Sequence, residues 1–220
     1  MTRARVAVLI SGGGSNLQTL IDAAQHPDCA FDIVCVLSNR PDAGGLVRAA
    51  AAGIEVHGLD HKAFPDRANF ERELGDHIDA ARADLIVCAG FMRVLTTYFV
   101  NRYEGRIINI HPSLLPNFRG LHTHRRAIDA GVAFAGCTVH WVSAGVDEGA
   151  IIGQAIVPVF LADAPEFLAA RVLIQEHRLY PVCVALVSSG RARLQNGTTF
   201  IDGKPGALAM LVDGSLAETP

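Results

Sequence analysis

The 220-residue sequence has no Cys-x-x-Cys pair, and its five cysteines make an odd number. No disulfide framework or zinc site is therefore readable, and a reducing cytoplasm is the natural setting. Cys35 and Cys88 stand inside the apolar runs Val34-Cys35-Val36 and Val87-Cys88-Ala89, where a free thiol acts as a small buried hydrophobe. No uncharged apolar stretch reaches the roughly 18 residues needed to span a bilayer. The N-terminal apolar run breaks at Ser11-Gly12-Gly13-Gly14 without a cleavage-like site, which argues against a signal peptide. Excess positive charge is missing as well: 19 Lys and Arg face 22 Asp and Glu, for a formal net charge of −3. That balance argues against nucleic-acid and anionic-membrane partners and leaves small molecules. Repeats, low-complexity segments and a domain linker are not evident, so the chain is expected to form one domain with a large core.

Half of the residues are hydrophobic and 19% are charged, as in a globular protein. Short β-branched runs at Val6–Ser11, Asp32–Asn39, Glu55–Leu59, Asp84–Gly90 and Ile107–His111 predict strands. Alanine-rich amphipathic segments between them predict helices over Ser15–Gln25, Gly45–Ala52, Arg67–Ala83 and Thr96–Arg102, with another near His122–Ala130. Nearly continuous apolar strands in βαβ order predict a Rossmann-like α/β fold, a mostly parallel sheet with helices on both faces and ligands beyond the carboxyl ends of the strands. Gly136–Val142 and Ala150–Val159 leave little room for a crossover helix and predict a late antiparallel pair. A helix over Pro165–Ser188, ended or kinked at Pro181, a short strand at Arg191–Gln195 and a turn-rich tail follow.

The run Asn109-Ile110-His111-Pro112-Ser113 stands out. Side chains two apart on a strand share a face, so Asn109 and His111 project together. An amide donor beside an imidazole suits stabilising an oxyanion and moving a proton, although a strand-end histidine can also simply pair with backbone. Pro112 stops the ladder and holds His111 extended. Ser11-Gly12-Gly13-Gly14-Ser15-Asn16-Leu17 joins the first strand to the first helix. It has Gly-x-Gly but carries Leu17 where a dinucleotide fingerprint needs a small residue. Strand two ends without a ribose-binding acid, and no Gly-Lys-Ser/Thr follows. A monophosphate cradle or an ordinary tight turn remains, with Ser15 or Asn16 as helix cap. Asp147 lies between glycines in Ser143–Gly149, either as a solvated loop carboxylate or, folded back, as a proton partner for His111. Phe91-Met92-Arg93-Val94-Leu95 follows strand four as core packing or as a slot for a flat heterocycle. His122 and His124 do not share a helical face, so no metal site is expected. Arg119–Arg126 is weakly basic, either attracting a phosphate or forming a solvated helix start.

Together these segments, with Gly120-Leu121-His122-Thr123-His124-Arg125, Val146-Asp147-Glu148-Gly149 and Gln175-Glu176-His177, resemble the folate-dependent phosphoribosylglycinamide formyltransferase family. The resemblance runs in order from about Val6 to Pro181. It implies transfer of a formyl group from 10-formyltetrahydrofolate to the primary amine of glycinamide ribonucleotide, without a metal. Asn109, His111 and Asp147 match the family's catalytic trio. Gly14, Ser15 and Asn16 match the substrate phosphate cradle, and Glu176 the carboxylate near the ribose and glycinamide. Folate-contacting positions are matched by Arg67, Met92, Arg93, Val94 and Leu95, by Asn109, and by Val142 and Val146 in the loop beside the pteridine. The implied partners are small molecules, not nucleic acid or membrane, and the implied state is a monomer or homodimer. The implied division is a phosphate-substrate half over 1–105, a catalytic and folate half over 106–190, and a C-terminal strand and tail over 191–220.

The chain departs from the family pattern at Gly13, where Asn or Thr is familiar. Glu148 stands where glycine or a small residue is usual, and Phe118-Arg119-Gly120 replaces a more usual Tyr-Pro-Gly or Phe-x-Gly pattern. Arg-Gly there is also similar to methionyl-tRNA formyltransferases. Formylation of methionyl-tRNA or a sugar nucleotide, or hydrolysis of formyl-folate, is thus the alternative within this chemistry. The length and acidic balance are expected to leave no room for a tRNA-binding barrel. A dinucleotide oxidoreductase is disfavoured by Leu17, and a non-catalytic nucleotide-binding module leaves Asn109 and His111 without a purpose.

Overall fold

A computed structural model of the chain describes residues 2–210. The first half runs β1 Ala4–Ile10, α1 Ser15–Ala24, β2 Phe31–Ser38, α2 Gly44–Ala51, β3 Glu55–Gly58, α3 Arg67–Ala80, β4 Leu85–Cys88, α4 Thr97–Arg102 and β5 Ile107–His111. Residues Val6 to Ile10 are all buried, which is why this apolar run forms an interior strand and not an alternating surface one. These strands pair in parallel in the order β5-β4-β1-β2-β3. The chain therefore reverses its direction of travel across the sheet between β1 and β4, and the crevice at their carboxyl ends is where such sheets bind ligands.

α5 Thr123–Asp129, β6 Phe134–Trp141, β7 Ile151–Pro158 and α6 Pro165–Ser188 follow. β6 runs antiparallel to β5, with Asn109 opposite His140 and His111 opposite Thr138, and β7 runs antiparallel to β6. Two apolar cores cover the faces of the sheet. One gathers Leu17 and Leu20 of α1 and Leu179, Cys183 and Val184 of α6 over Val8, Val87, Ile108 and Ile110. The other packs Phe70, Leu74 and Ile78 of α3 and Phe99 of α4 over Leu9, Ile86 and Ile107. The alternation within β5 sends Ile108 and Ile110 to the first core and leaves Asn109 and His111 on the opposite face. Four cysteines are buried, and burial pushes the Cys35 and Cys88 thiols up to about 12, so they pack as uncharged groups.

Several expected elements differ. α6 continues through Pro181 and is not ended there. An interior proline costs a helix about 3 kcal/mol, yet Leu179, Tyr180, Cys183 and Val184 on either side are fully buried. Leu179 and Val184 each contribute roughly 1.5–3 kcal/mol by burial, and the Tyr180 hydroxyl donates to the Cys88 carbonyl at 2.8 Å. α3 stops at Ala80, short of Ala83. The tail is more ordered than turns: β8 Ala192–Gln195, β9 Thr198–Ile201 and β10 Lys204–Pro205 form a small antiparallel sheet. β11 Leu208–Met210 then pairs in parallel with β7 at the edge of the main sheet. The rest of the expected tail, 211–220, lies outside the described residues.

Candidate active site

β5 ends at the crevice with Asn109 half-buried and His111 buried, as expected of a strand stopped by Pro112. The loop after β6 folds back so that Asp147 Oδ2 lies 3.3 Å from His111 Nδ1. Asp147 sits at φ 53, a left-handed turn that Asp tolerates better than most residues, and its carboxylate accepts from the Gly120 amide at 2.9 Å. His111 Nε2 meets the Phe118 carbonyl at 3.1 Å. Both ring nitrogens thus face oxygen acceptors, and only N–H groups at both would satisfy them.

His140, directly across from Asn109, is a site residue that the sequence did not single out. Its Nδ1 faces the Trp141 carbonyl at 2.8 Å and must donate there, which leaves Nε2 as an acceptor for the Asn109 amide nitrogen at 3.2 Å. Burial lowers the pKa of His140, so the ring stays neutral and its 3.7 Å approach to Asp147 is not an ion pair. The consequence is an Asn109 amide of fixed orientation, with a second N–H left for a ligand. The signal was present in β6: Thr138 and His140 are polar residues at alternate positions of an otherwise apolar strand.

At the other side of the crevice the glycine loop passes into α1 with Gly14 as its N-cap, at φ 72 and with no side-chain cap. The expected Ser15 or Asn16 cap is absent because Gly14 takes that position and Asn16 turns inward instead. Asn16 Nδ2 donates to Glu176 Oε2 at 2.7 Å, while Asn16 Oδ1 is buried without a hydrogen-bond partner among the described residues. Burial raises the pKa of Glu176, and the Asn16 bond partly opposes that. The loop lies tight against α2: a Cβ on Gly14 would come within 2.8 Å of Gly45 Cα. A cavity of about 420 Å³ opens here, lined among others by Gly13, Ser15, Asn39, Arg40 and Gly90. Leu17, which broke the dinucleotide pattern, is a core residue.

The segment after β4 faces the same crevice. Met92 and Val94 are 72% and 54% exposed, whereas the Arg93 guanidinium lies 5.6 Å from the Phe70 ring and Leu95 packs against the second core. Val142 is half-buried with its amide on the Ile107 carbonyl, and Val146 and Arg67 are exposed, Arg67 at the start of α3. Arg119 pairs with Glu148 at 2.7 Å, so two departures from the family pattern neutralise each other. Arg126 donates to the Arg119 carbonyl at 2.6 Å and Arg125 pairs with Asp129 at 3.9 Å, so the arginines of the basic stretch are engaged with that stretch, Glu148 and Asp129. His122 adopts a left-handed conformation before α5, which starts one residue later than expected. Among the described residues no group of three or more His, Cys, Asp or Glu is placed to hold a metal ion, and no helix is long and apolar enough to cross a membrane.

An Asn–His–Asp cluster facing a glycine-rich cradle at the switch point of a mostly parallel sheet defines an α/β enzyme of group transfer. Formyl transferase is the family whose profile matches residues 4–184. Phosphoribosylglycinamide formyltransferase of Haemophilus influenzae is 46% identical over 200 residues, covering 91% of this chain and 94% of the relative. The trifunctional purine biosynthetic protein adenosine-3 of Bos taurus is 46% identical over 196 residues, 89% of this chain but 19% of that longer protein. The solved phosphoribosylglycinamide formyltransferase of Coxiella burnetii superposes with a TM-score of 0.89 at 46% identity, over 94% of this chain and 97% of its own. The chain belongs to the formyl transferase family, among its phosphoribosylglycinamide formyltransferases.

Proposed function

We infer that the chain transfers the formyl group of 10-formyltetrahydrofolate to the primary amine of glycinamide ribonucleotide. The products are formylglycinamide ribonucleotide and tetrahydrofolate, in de novo purine biosynthesis. The observation that carries this reading is the 3.3 Å approach of Asp147 to His111, beside an Asn109 amide with one N–H to spare. The folate supplies an activated one-carbon unit at the formyl oxidation level. Asn109 donates its free N–H to the oxygen on which charge develops as the amine attacks. His111 does the same through Nε2 once that nitrogen exchanges the Phe118 carbonyl for the substrate oxygen. Asp147 holds the imidazole through Nδ1, receives the proton that the amine gives up and returns it to N10 as the bond from the formyl carbon to N10 breaks, releasing tetrahydrofolate.

The two small molecules fit from opposite sides. Gly14, Ser15 and Asn16 bind the phosphate at the helix N-terminus, where Gly14 lies too close to Gly45 of α2 to carry a side chain. The orphaned Asn16 Oδ1 and the buried Glu176 carboxylate suit ribose hydroxyls and the glycinamide amine. Arg67, Met92, Arg93, Val94, Leu95, Val142 and Val146 form the folate side, with Asn109 shared between the two. We read residues 1–105 as the phosphate-substrate half, 106–190 as the catalytic and folate half and 191–220 as the closing strand and tail of one formyltransferase domain. It works in the cytoplasm as a monomer or homodimer. The test mixes purified protein with both substrates and follows deformylated folate by absorbance. Product only in the presence of the acceptor supports transfer; equal product without it would make the chain a hydrolase.

A further inference from the structure

Glu71 is a buried carboxylate outside the catalytic cluster. It stands on α3 at 2% exposure, beside Phe70 and above Leu74 and Ile78 of the second core. No cation lies within ion-pairing distance among the described residues, and both of its oxygens are spent on one residue of another element. Oε1 accepts from the Thr96 amide at 2.8 Å and Oε2 from the Thr96 hydroxyl. The same hydroxyl accepts from the Phe99 amide at 3.3 Å as the N-cap of α4. An unpaired buried charge is costly unless strongly hydrogen-bonded, and core packing alone needs no carboxylate at this position.

What these bonds fix is the exit of the five-residue segment 92–96. Its entry is held in the same manner, since the Met92 amide donates to the buried Ser11 hydroxyl at 2.7 Å. Between the two pins the segment alternates, with Met92 and Val94 outward and Arg93 and Leu95 inward. Two successive residues of α3 therefore brace this one segment, Phe70 by lying under the Arg93 guanidinium and Glu71 by holding Thr96. We propose that Glu71 is a positioning residue for the formyl donor, fixing through Thr96 the backbone of Met92–Leu95 against which the folate heterocycle packs. The proposal rests on the folate reading of that segment.

A purely structural contact and a positioning contact differ in what they move. Glu71→Ala should raise KM for 10-formyltetrahydrofolate about tenfold, the scale of losing charge-assisted hydrogen bonds. KM for glycinamide ribonucleotide and kcat should stay within about twofold, because the cradle and His111 stand on other elements. Glu71→Gln retains an oxygen for the Thr96 amide and should recover most of the loss. Thr96→Val should reproduce the donor effect without altering α3. Asp79→Asn serves as the control: Asp79 binds the Tyr103 hydroxyl at 3.0 Å and Arg102 at 2.5 Å, at the far end of the same α3–α4 contact. It should lower Tm and leave both KM values alone.

Hydrogen–deuterium exchange provides an arm that needs no substrate. Amides 93–96 should exchange faster in Glu71→Ala and Thr96→Val, and not in Asp79→Asn. A fall in Tm with donor KM and exchange unchanged would overturn the proposal, as would a parallel rise of both KM values. If the wild-type protein transfers no formyl group while the exchange difference appears, the functional reading fails and Glu71 remains only the anchor of the segment.

Discussion

His111 is held by two acceptors at once, and that determines how its loss should read. In the proposed mechanism, removing the ring takes away the donor for the developing oxyanion and the group through which Asp147 acts, while Gly14, Asn16 and Glu176 are untouched. His111→Ala should therefore lower kcat by roughly 10²-fold or more while leaving phosphate-substrate binding nearly intact, read by steady-state kinetics and calorimetric titration. Unchanged turnover would remove His111 from the mechanism. Glu176 makes a different prediction, in stability. Burial raises its pKa above the ordinary 4.5, so the charged form is the costly one in the folded protein. Below 4.5 both states hold the proton and no cost arises; as pH rises through the folded value the cost grows. Glu176→Gln should match wild type in Tm near pH 4 and exceed it near pH 7. A wild-type advantage at neutral pH would mean that the Asn16 bond outweighs desolvation. His140 has the opposite sign: its lowered pKa means stability present above the ordinary 6.5 and lost as pH falls below it.

The β1–α1 connection, the proposed phosphate cradle, owes its shape to one glycine. Gly14 is required twice, by its φ of 72 and by Gly45, whose Cα would lie 2.8 Å from any added Cβ. An alanine there costs about 1–2 kcal/mol in backbone strain and must push backbone against backbone. Gly14→Ala should lower Tm by a few degrees and raise KM for glycinamide ribonucleotide about tenfold, with the formyl-donor KM unchanged. Equal effects on both would deny the loop a role specific to the phosphate side. The alternating helices and apolar strands were legible in the sequence because their periodicities are local. Asn109 and His111 were legible because strand alternation fixes their common face. The contact of Asp147 with His111 was not, since a glycine-flanked loop can fold either way and only the packed strands β5 and β6 decide it. The Asn16 cap failed for a related reason: its competing partner, Glu176, is 160 residues away. The C-terminal strands, by contrast, carried a readable signal. Asn196-Gly197 and Asp202-Gly203 both adopt positive φ, the pairs that close tight hairpins between β8, β9 and β10.

Across the whole molecule, the sheet order leaves β7 with only the short β11 on its outer side. β11 covers that edge by pairing Leu208, Ala209 and Met210 with Gly153, Gln154 and Ala155, and Met210 is buried in the main core. The small sheet is tied to the same region through the Trp141 indole, which donates to the Thr199 hydroxyl at 3.2 Å. An unpaired edge is a template for association with another chain, and β7 offers no proline before Pro158 to blunt it. Ending the chain at Asp202 would leave β8 and β9 in place while uncovering β7. Such a truncated protein should melt several degrees lower and associate in a concentration-dependent manner beyond the state of the full chain, followed by light scattering. Adding back β11 through an intact C-terminus with Met210→Ala separates the two causes. That variant loses core burial of about 1.5–3 kcal/mol but keeps the backbone pairing, so it should melt early without extra association. Association of both variants to the same degree would assign the effect to lost stability and not to the open edge of β7.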